Sequence, residues 1–284
     1  LNNRELLDTA EEIRIRQNKP IVIRKDCENF FMKNGEVCRM KDAFKPHKDE
    51  IQDTLSRMCE YSPYAYSDEI RRGFITIEGG FRVGIAGTAV ECKDGISTIK
   101  YINSLNIRIS RELTGCADKV MKYVYGNTLI ISPPGCGKTT ILRDIIRQIS
   151  NQGINISVVD ERCEISGMYL GNIQFDLGIC TDVLCCYSKS IGMNMMLRSM
   201  GPKIIAVDEI GSDEDILAIH NLLNSGVKII ATIHCDTIEN ILQKPFIENI
   251  VKEKIFDSYI ILNNNKKTGD LYKIYDKELN IVWQ

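Results

Sequence analysis

Nine consecutive residues have the types and order to hold a polyphosphate: Ser132, Pro133, Pro134, Gly135, Cys136, Gly137, Lys138, Thr139 and Thr140. They follow an apolar run, NTLIIS, and open a helical pattern, TILRDIIRQI. A glycine-rich turn between strand and helix leaves backbone N–H groups aimed at an incoming phosphate. In that setting Lys138 reaches the β and γ phosphates of ATP, and the Thr139 hydroxyl ligates Mg2+. The loop departs from the G-x-x-x-x-G-K-[ST] pattern in carrying Ser132 where the first glycine belongs. The bland alternative, a chance Gly-Lys-Thr on a surface loop, has to ignore both the strand before it and the helix after it.

A second run, IIAVDE, is an apolar strand that ends in two carboxylates, Asp208 and Glu209. Phosphoryl transfer to water needs one acid to hold the metal and another to orient or deprotonate the water, and this pair offers both. Asp208 is assigned to Mg2+ and Glu209 to the water. Ordinary solvated acids at a strand end are the competing reading. His234 closes the run ATIH, where it is either aimed at phosphate or a satisfied core histidine. The stretch VVDERCE sets Asp160, Glu161 and Glu164 just after another strand.

Positioning these groups requires buried strands whose carboxyl ends lie together. Residues 128–132, 154–160, 203–209 and 228–234 are continuous β-branched runs separated by helical spacing, which predicts a mostly parallel sheet in an α/β domain. The strand at 154–160 lies between the two motifs in sequence, and it is expected to insert between the phosphate-loop strand and the strand of Asp208. Three short strands follow, at 258–263, 270–276 and 280–283, with a Lys-Thr-Gly turn. The first 110 residues differ. An amphipathic start (5–15), an extended IVIRK, helical spacing through Ile51, Leu55 and Met58, and a hairpin turning at Gly79-Gly80 predict a smaller α+β domain. The boundaries read as 1–110 for this domain, 111–119 for a linker and 120–284 for the α/β domain. Arg108 closes a β-branched run before the linker. It is either a cation swung onto a neighbouring subunit's nucleotide or an ion-paired strand residue.

Taken together, the four motifs resemble those of the type II and type IV secretion ATPases and pilus motors, whose fold is a RecA-like P-loop domain. That resemblance covers about residues 120–245. It implies that Asp160, Glu161 and Glu164 are the acids of the motor's Asp box, with Asp160 and Glu161 as further acids on the metal side. It also implies that Glu209 is the Walker B glutamate, favoured over Glu164 as the catalytic carboxylate, and that His234 is the His-box histidine. The chain departs from those motors in Arg162, where they usually carry proline, and in Asp208, where glycine is common. The runs GFIT, GFRVG, SLNIRI, SPPGCGKTT and VVDERCEISG narrow the resemblance to the sporulation stage III AA family of endospore formers. What this implies is a cytoplasmic ATPase of the channel between mother cell and forespore, working as a homo-oligomeric, hexameric ring on inner-membrane components of that apparatus.

Composition narrows the alternatives. With 44% hydrophobic and 26% charged residues over 284 positions, the chain is globular and long enough for two cores. A net charge of −2 disfavours bulk nucleic-acid binding, and tyrosines 61, 64 and 66 beside Arg71 and Arg72 are the one stacking cluster a nucleic-acid translocase could use. Eleven cysteines without a CxxC pair exclude zinc-ribbon and thioredoxin readings and fit a reducing cytosol. No apolar run reaches the roughly 18 residues that span a bilayer. The sequence starts at Leu1 rather than methionine, so the native N-terminus is expected upstream. Two readings compete with a secretion-type motor: an ATPase acting on nucleic acid, and a slow nucleotide-gated scaffold.

Overall fold

The computed structural model describes residues 3–26, 28–92, 95–242, 245–263 and 271–283. By its internal contacts the chain forms two units. The first runs to Arg111 and also takes in Gly167–Gln174; the second comprises Glu112–Ser166 and everything from Phe175 onward.

In the first unit the amphipathic start divides. A helix, α1 (Asn3–Thr9), gives way to β1 (Glu12–Arg16), because Ile13 and Ile15 alternate strictly with charged residues. Six more strands follow: β2 (Val22–Lys25), β3 (Glu28–Lys33), β4 (Glu36–Cys38), β5 (Phe74–Ile77), β6 (Phe81–Cys92) and β7 (Gly95–Arg108). They pair antiparallel in the order β4-β3-β2-β1-β7-β6-β5. Alternation sends Ile75, Val83, Ile85 and Leu105 to one face. There α2 (Lys48–Met58) and α3 (Ser67–Arg71) cover them with Ile51, Leu55 and Ile70. Gly79 and Gly80 both have positive φ, 81° and 72°, as the turn between β5 and β6 demands. The returning segment 167–174 belongs here through Tyr169, whose hydroxyl meets Glu60 and Tyr66, and through Gln174, whose side-chain oxygen accepts from the Gly79 N–H.

The second unit alternates strand and helix: β8 (Thr128–Ser132), α4 (Lys138–Ser150), β9 (Ile156–Asp160), β10 (Thr181–Cys185), α5 (Lys189–Met200), β11 (Ile204–Val207), α6 (Asp213–Asn224) and β12 (Lys228–His234). It ends with α7 (Ile238–Leu242), α8 (Pro245–Lys252), β13 (Ser258–Leu262), β14 (Leu271–Asp276) and β15 (Ile281–Trp283). The sheet order is β10-β9-β11-β12-β8-β13-β14-β15, parallel from β10 to β13 and antiparallel beyond. Helices cover both faces, which is why the central strands are apolar without alternation. Leu129 and Ile131 pack with α5 and α6, while Ile130 packs with α4. The stretch read as a linker groups with this unit from Glu112 on: the Glu112 carboxylate accepts from the Asp176 N–H, and Ala117 is buried with its N–H donating to Asp144. The Lys-Thr-Gly turn lies outside the described residues, and the ten described cysteines are free thiols.

One expectation about strand order is corrected. The strand inserted between β8 and β11 is β12, carrying His234, whereas β9 lies on the far side of β11. Position along the chain does not set position in a parallel sheet, because each crossover helix can carry the next strand past its neighbours. Ile130, fully buried at the middle of this sheet, has little room to be replaced. Ile130→Ala is expected to destabilise the second unit by about 3 kcal/mol, read from the urea midpoint at unchanged slope.

Candidate active site

Three adjacent strand ends build the site. Register places His234 opposite Ser132 between β12 and β8, and Ala231 opposite Val207 between β12 and β11. The phosphate loop, Asp208-Glu209 and His234 therefore meet at one edge, outside the carboxyl ends of the strands, where ligands of open α/β sheets bind.

The loop itself is formed as a cradle. Gly137 caps α4 with φ 88°, and Gly135 has φ 79° with nothing within 4 Å of a would-be Cβ. Both positions favour glycine, and a glycine turn at a helix N-terminus is the backbone form whose N–H groups receive phosphate. Ser132 is no impediment, since it is the last residue of β8 and is absent from the residues with positive φ. Its hydroxyl donates to the Pro133 carbonyl. Cys136 is buried inside the loop.

Lys138 is 5% exposed, and burial pulls its ammonium below the ordinary lysine range against the opposing fields of Asp208 and Glu209, with a smaller one from Glu164. It donates to the carbonyls of Ser132 (3.2 Å) and Pro133 (3.3 Å) and lies 2.7 Å from His234 Nδ1. An ammonium only donates, so Nδ1 accepts and the ring proton sits on Nε2. That nitrogen faces Glu209 Oε1, while Arg162 Nη1 holds Oε2 at 2.6 Å. Lys138, His234, Glu209 and Arg162 thus form one continuous chain of contacts.

Thr139 Oγ1 donates to Asp208 Oδ2 at 2.7 Å, and Thr232 holds the other oxygen of Asp208. Thr232 also accepts from the Glu209 N–H at 2.9 Å. Glu209 has φ 56°, a conformation uncommon outside glycine that clusters at functional sites. Thr139 and Asp208 are a fitting pair of hard oxygen donors for Mg2+. Among the described residues no cluster of three or more His, Cys, Asp or Glu can hold a metal alone. A magnesium ion here would complete its shell with phosphate oxygens and water, as it does in phosphate-transfer sites.

The structure gives two expected metal-side acids other work. Asp160 is 1% exposed, and its oxygens accept from the N–H groups of Glu164 (2.9 Å), Ile165 (3.1 Å) and Ser166 (2.8 Å) and from the Ser166 hydroxyl. Burial raises this carboxyl above the ordinary range, against the pull of those donors. Its oxygens are spent shaping the loop. Glu161 pairs with Lys189. Glu164 stays on the loop beside the site, its carbonyl held by Arg143 of α4, whose guanidinium lies over Phe175. Arg108 stands in the first unit, on β7 opposite Glu12 and Arg82. Sequence reading singled out neither Thr232 nor Arg143, and it noted Arg162 only as a departure. A hydroxyl inside the apolar run IIATIH and a lone cation among the acids of DERCE were the available signals.

This sheet order, with the phosphate loop beside the His234 strand, defines a RecA-like P-loop domain of the kind found in secretion ATPases. Solved structures share that fold: the ATPase DotB of Legionella pneumophila (14% identity, 96% of this chain and 78% of that one, TM-score 0.60) and the pilus retraction motor PilT with bound ADP (17%, 91% and 76%, 0.57). The chain belongs to the sporulation stage III protein AA family, whose pattern it matches over residues 1–282. It is 36% identical to stage III sporulation protein AA of Bacillus subtilis over 282 residues, 96% of this chain and 88% of that protein.

Because Asp160 serves three backbone amides at once, its removal should cost stability as well as loop order. Asp160→Ala is expected to lower unfolding free energy by about 2 to 4 kcal/mol, and Asp160→Asn, which keeps one acceptor, by less; urea titration of the two variants compares them.

Proposed function

We propose that the protein is a Mg2+-dependent ATPase that drives a membrane-embedded apparatus, working as a ring of identical subunits on the cytoplasmic side. The observation that carries the reading is the convergence of Lys138, the Thr139–Asp208 pair and Glu209 at the mouth of the phosphate loop. Lys138 and the loop amides bind the β and γ phosphates. Mg2+, where bound, neutralises charge on those phosphates. Glu209 orients the attacking water and accepts its proton, and His234 responds to the phosphate that draws Lys138 away from it.

Family membership and the fold shared with DotB and PilT support this reading. Among the described residues no helix is long and apolar enough to cross a membrane. The family resemblance is what assigns coupling to a bilayer apparatus to partner proteins. By resemblance those partners are inner-membrane components of the mother cell to forespore channel, and the ring is a hexamer. Of the tyrosines a nucleic-acid translocase could use, Tyr61 and Tyr64 are exposed but Tyr66 is buried, so the cluster offers no three-ring stacking platform.

Two variants separate binding from chemistry. Lys138→Ala should lose nucleotide binding, whereas Glu209→Gln should bind ATP and hydrolyse it about 10² to 10⁴ times more slowly. Normal turnover by Glu209→Gln would remove Glu209 from the mechanism. A further measurement tests assembly: hydrolysis per subunit should rise with protein concentration as light scattering records growth in mass. Flat activity from a monomer would speak for a site complete within one chain.

A further inference from the structure

The half-exposed Arg162 has no part in the reading above, yet it makes a direct contact with the carboxylate on which hydrolysis depends. We propose that Arg162 is the positioning residue for Glu209: it anchors Oε2 so that Oε1 is presented to the water. The inference rests on the ATPase reading and adds a residue to it.

Three observations carry it. The first is the asymmetry of the two contacts. Oε1 is held by His234, whose other nitrogen leans on Lys138, so this contact is tied to a cation that phosphate can claim. Oε2 is held by Arg162 at 2.6 Å, which involves none of the phosphate-binding groups. When phosphate draws Lys138 off Nδ1, the His234 contact is free to rearrange while the arginine contact persists.

The second is the rigidity behind Arg162. Its loop is pinned on both sides: Asp160 collects the amides of Glu164, Ile165 and Ser166, Lys189 holds Glu161, and Arg143 holds the carbonyls of Glu164 and Ile165. A loop held at these points fixes where the Arg162 backbone stands, and the planar donor set of the guanidinium gives its contact with Oε2 a preferred direction. The third is the main chain of Glu209, held at φ 56° with its N–H on Thr232. With the backbone fixed at one end and Oε2 at the other, the remaining freedom of the carboxylate is small.

The pair is also too exposed to be a stability device. Arg162 is 55% and Glu209 27% exposed at the side chain, and ion pairs so placed contribute little to folding. The effect of losing Arg162 should therefore appear in turnover rather than in the melting curve.

The experiment is steady-state ATP hydrolysis by the full chain, with Lys138→Ala as the blank, for wild type, Arg162→Ala and Arg162→Lys. Binding of a fluorescent ADP analogue and thermal unfolding are measured on the same preparations. Arg162→Ala is expected to lower kcat by about 10- to 100-fold, the scale of a misplaced catalytic group. KM, ADP affinity and Tm should stay close to wild type. Arg162→Lys should recover part of kcat, because an ammonium can still reach one oxygen.

Unchanged kcat in Arg162→Ala overturns the inference while leaving the ATPase reading intact. A parallel loss of ADP affinity would make Arg162 a phosphate ligand, and a collapse of Tm would make it a structural brace; either result also overturns it. Wild-type turnover no higher than the Lys138→Ala blank would remove the ATPase reading and this inference together.

Discussion

A lysine ammonium buried at the N-terminus of a helix is in an adverse place. It has left water, and the helix presents its positive end to it. Lys138 is tolerable there because two carbonyls of its own loop, a histidine nitrogen and the fields of two carboxylates surround it. Much of the second unit can be read as the arrangement that supplies this company. The loop carbonyls come from the end of β8 and the residue after it, the histidine from β12 and the carboxylates from just past β11, so the three strands must lie side by side and in register. In the proposed function a polyphosphate would offer better company, the lysine would exchange partners, and the groups it leaves are those assigned to act on water.

That requirement explains why β12 sits between the phosphate-loop strand and the acidic strand. A histidine bridging from Lys138 to Glu209 has to come from between them, and Thr232, two residues earlier on the same face, then reaches both Asp208 and the Glu209 N–H. β9 stands one strand further out, where its terminal Asp160 folds the following loop back toward the site.

Groups carried by local pattern were legible in the sequence. Strand, glycine turn and helix follow one another around Lys138, and the apolar runs ending at Asp208 and His234 announce buried parallel strands. What was not legible arises from pairing across distance. The order of β9, β11 and β12 depends on crossovers that leave no trace in any one run. The roles of Asp160 and Glu161 depend on loop amides and on Lys189, whose approach no spacing encodes. In the first unit β4 was unreadable because three residues, two of them exposed, carry no alternation. Arg162 stood out by type, yet its meaning required seeing Glu209 47 positions away.

The chain enters the first unit twice. After Ser166 it leaves the loop that Asp160 shapes, contributes eight residues to the first unit, and returns at Phe175. Topologically the first unit is therefore not a bead on a string; it is sewn to the second by more than one thread. No single junction exchanges one unit for a foreign counterpart, and a gene fusion made at the boundary near Arg111 would strand the segment bearing Tyr169 on the wrong side. A change in the Ser166–Gly167 or Gln174–Phe175 junction therefore touches both units at once.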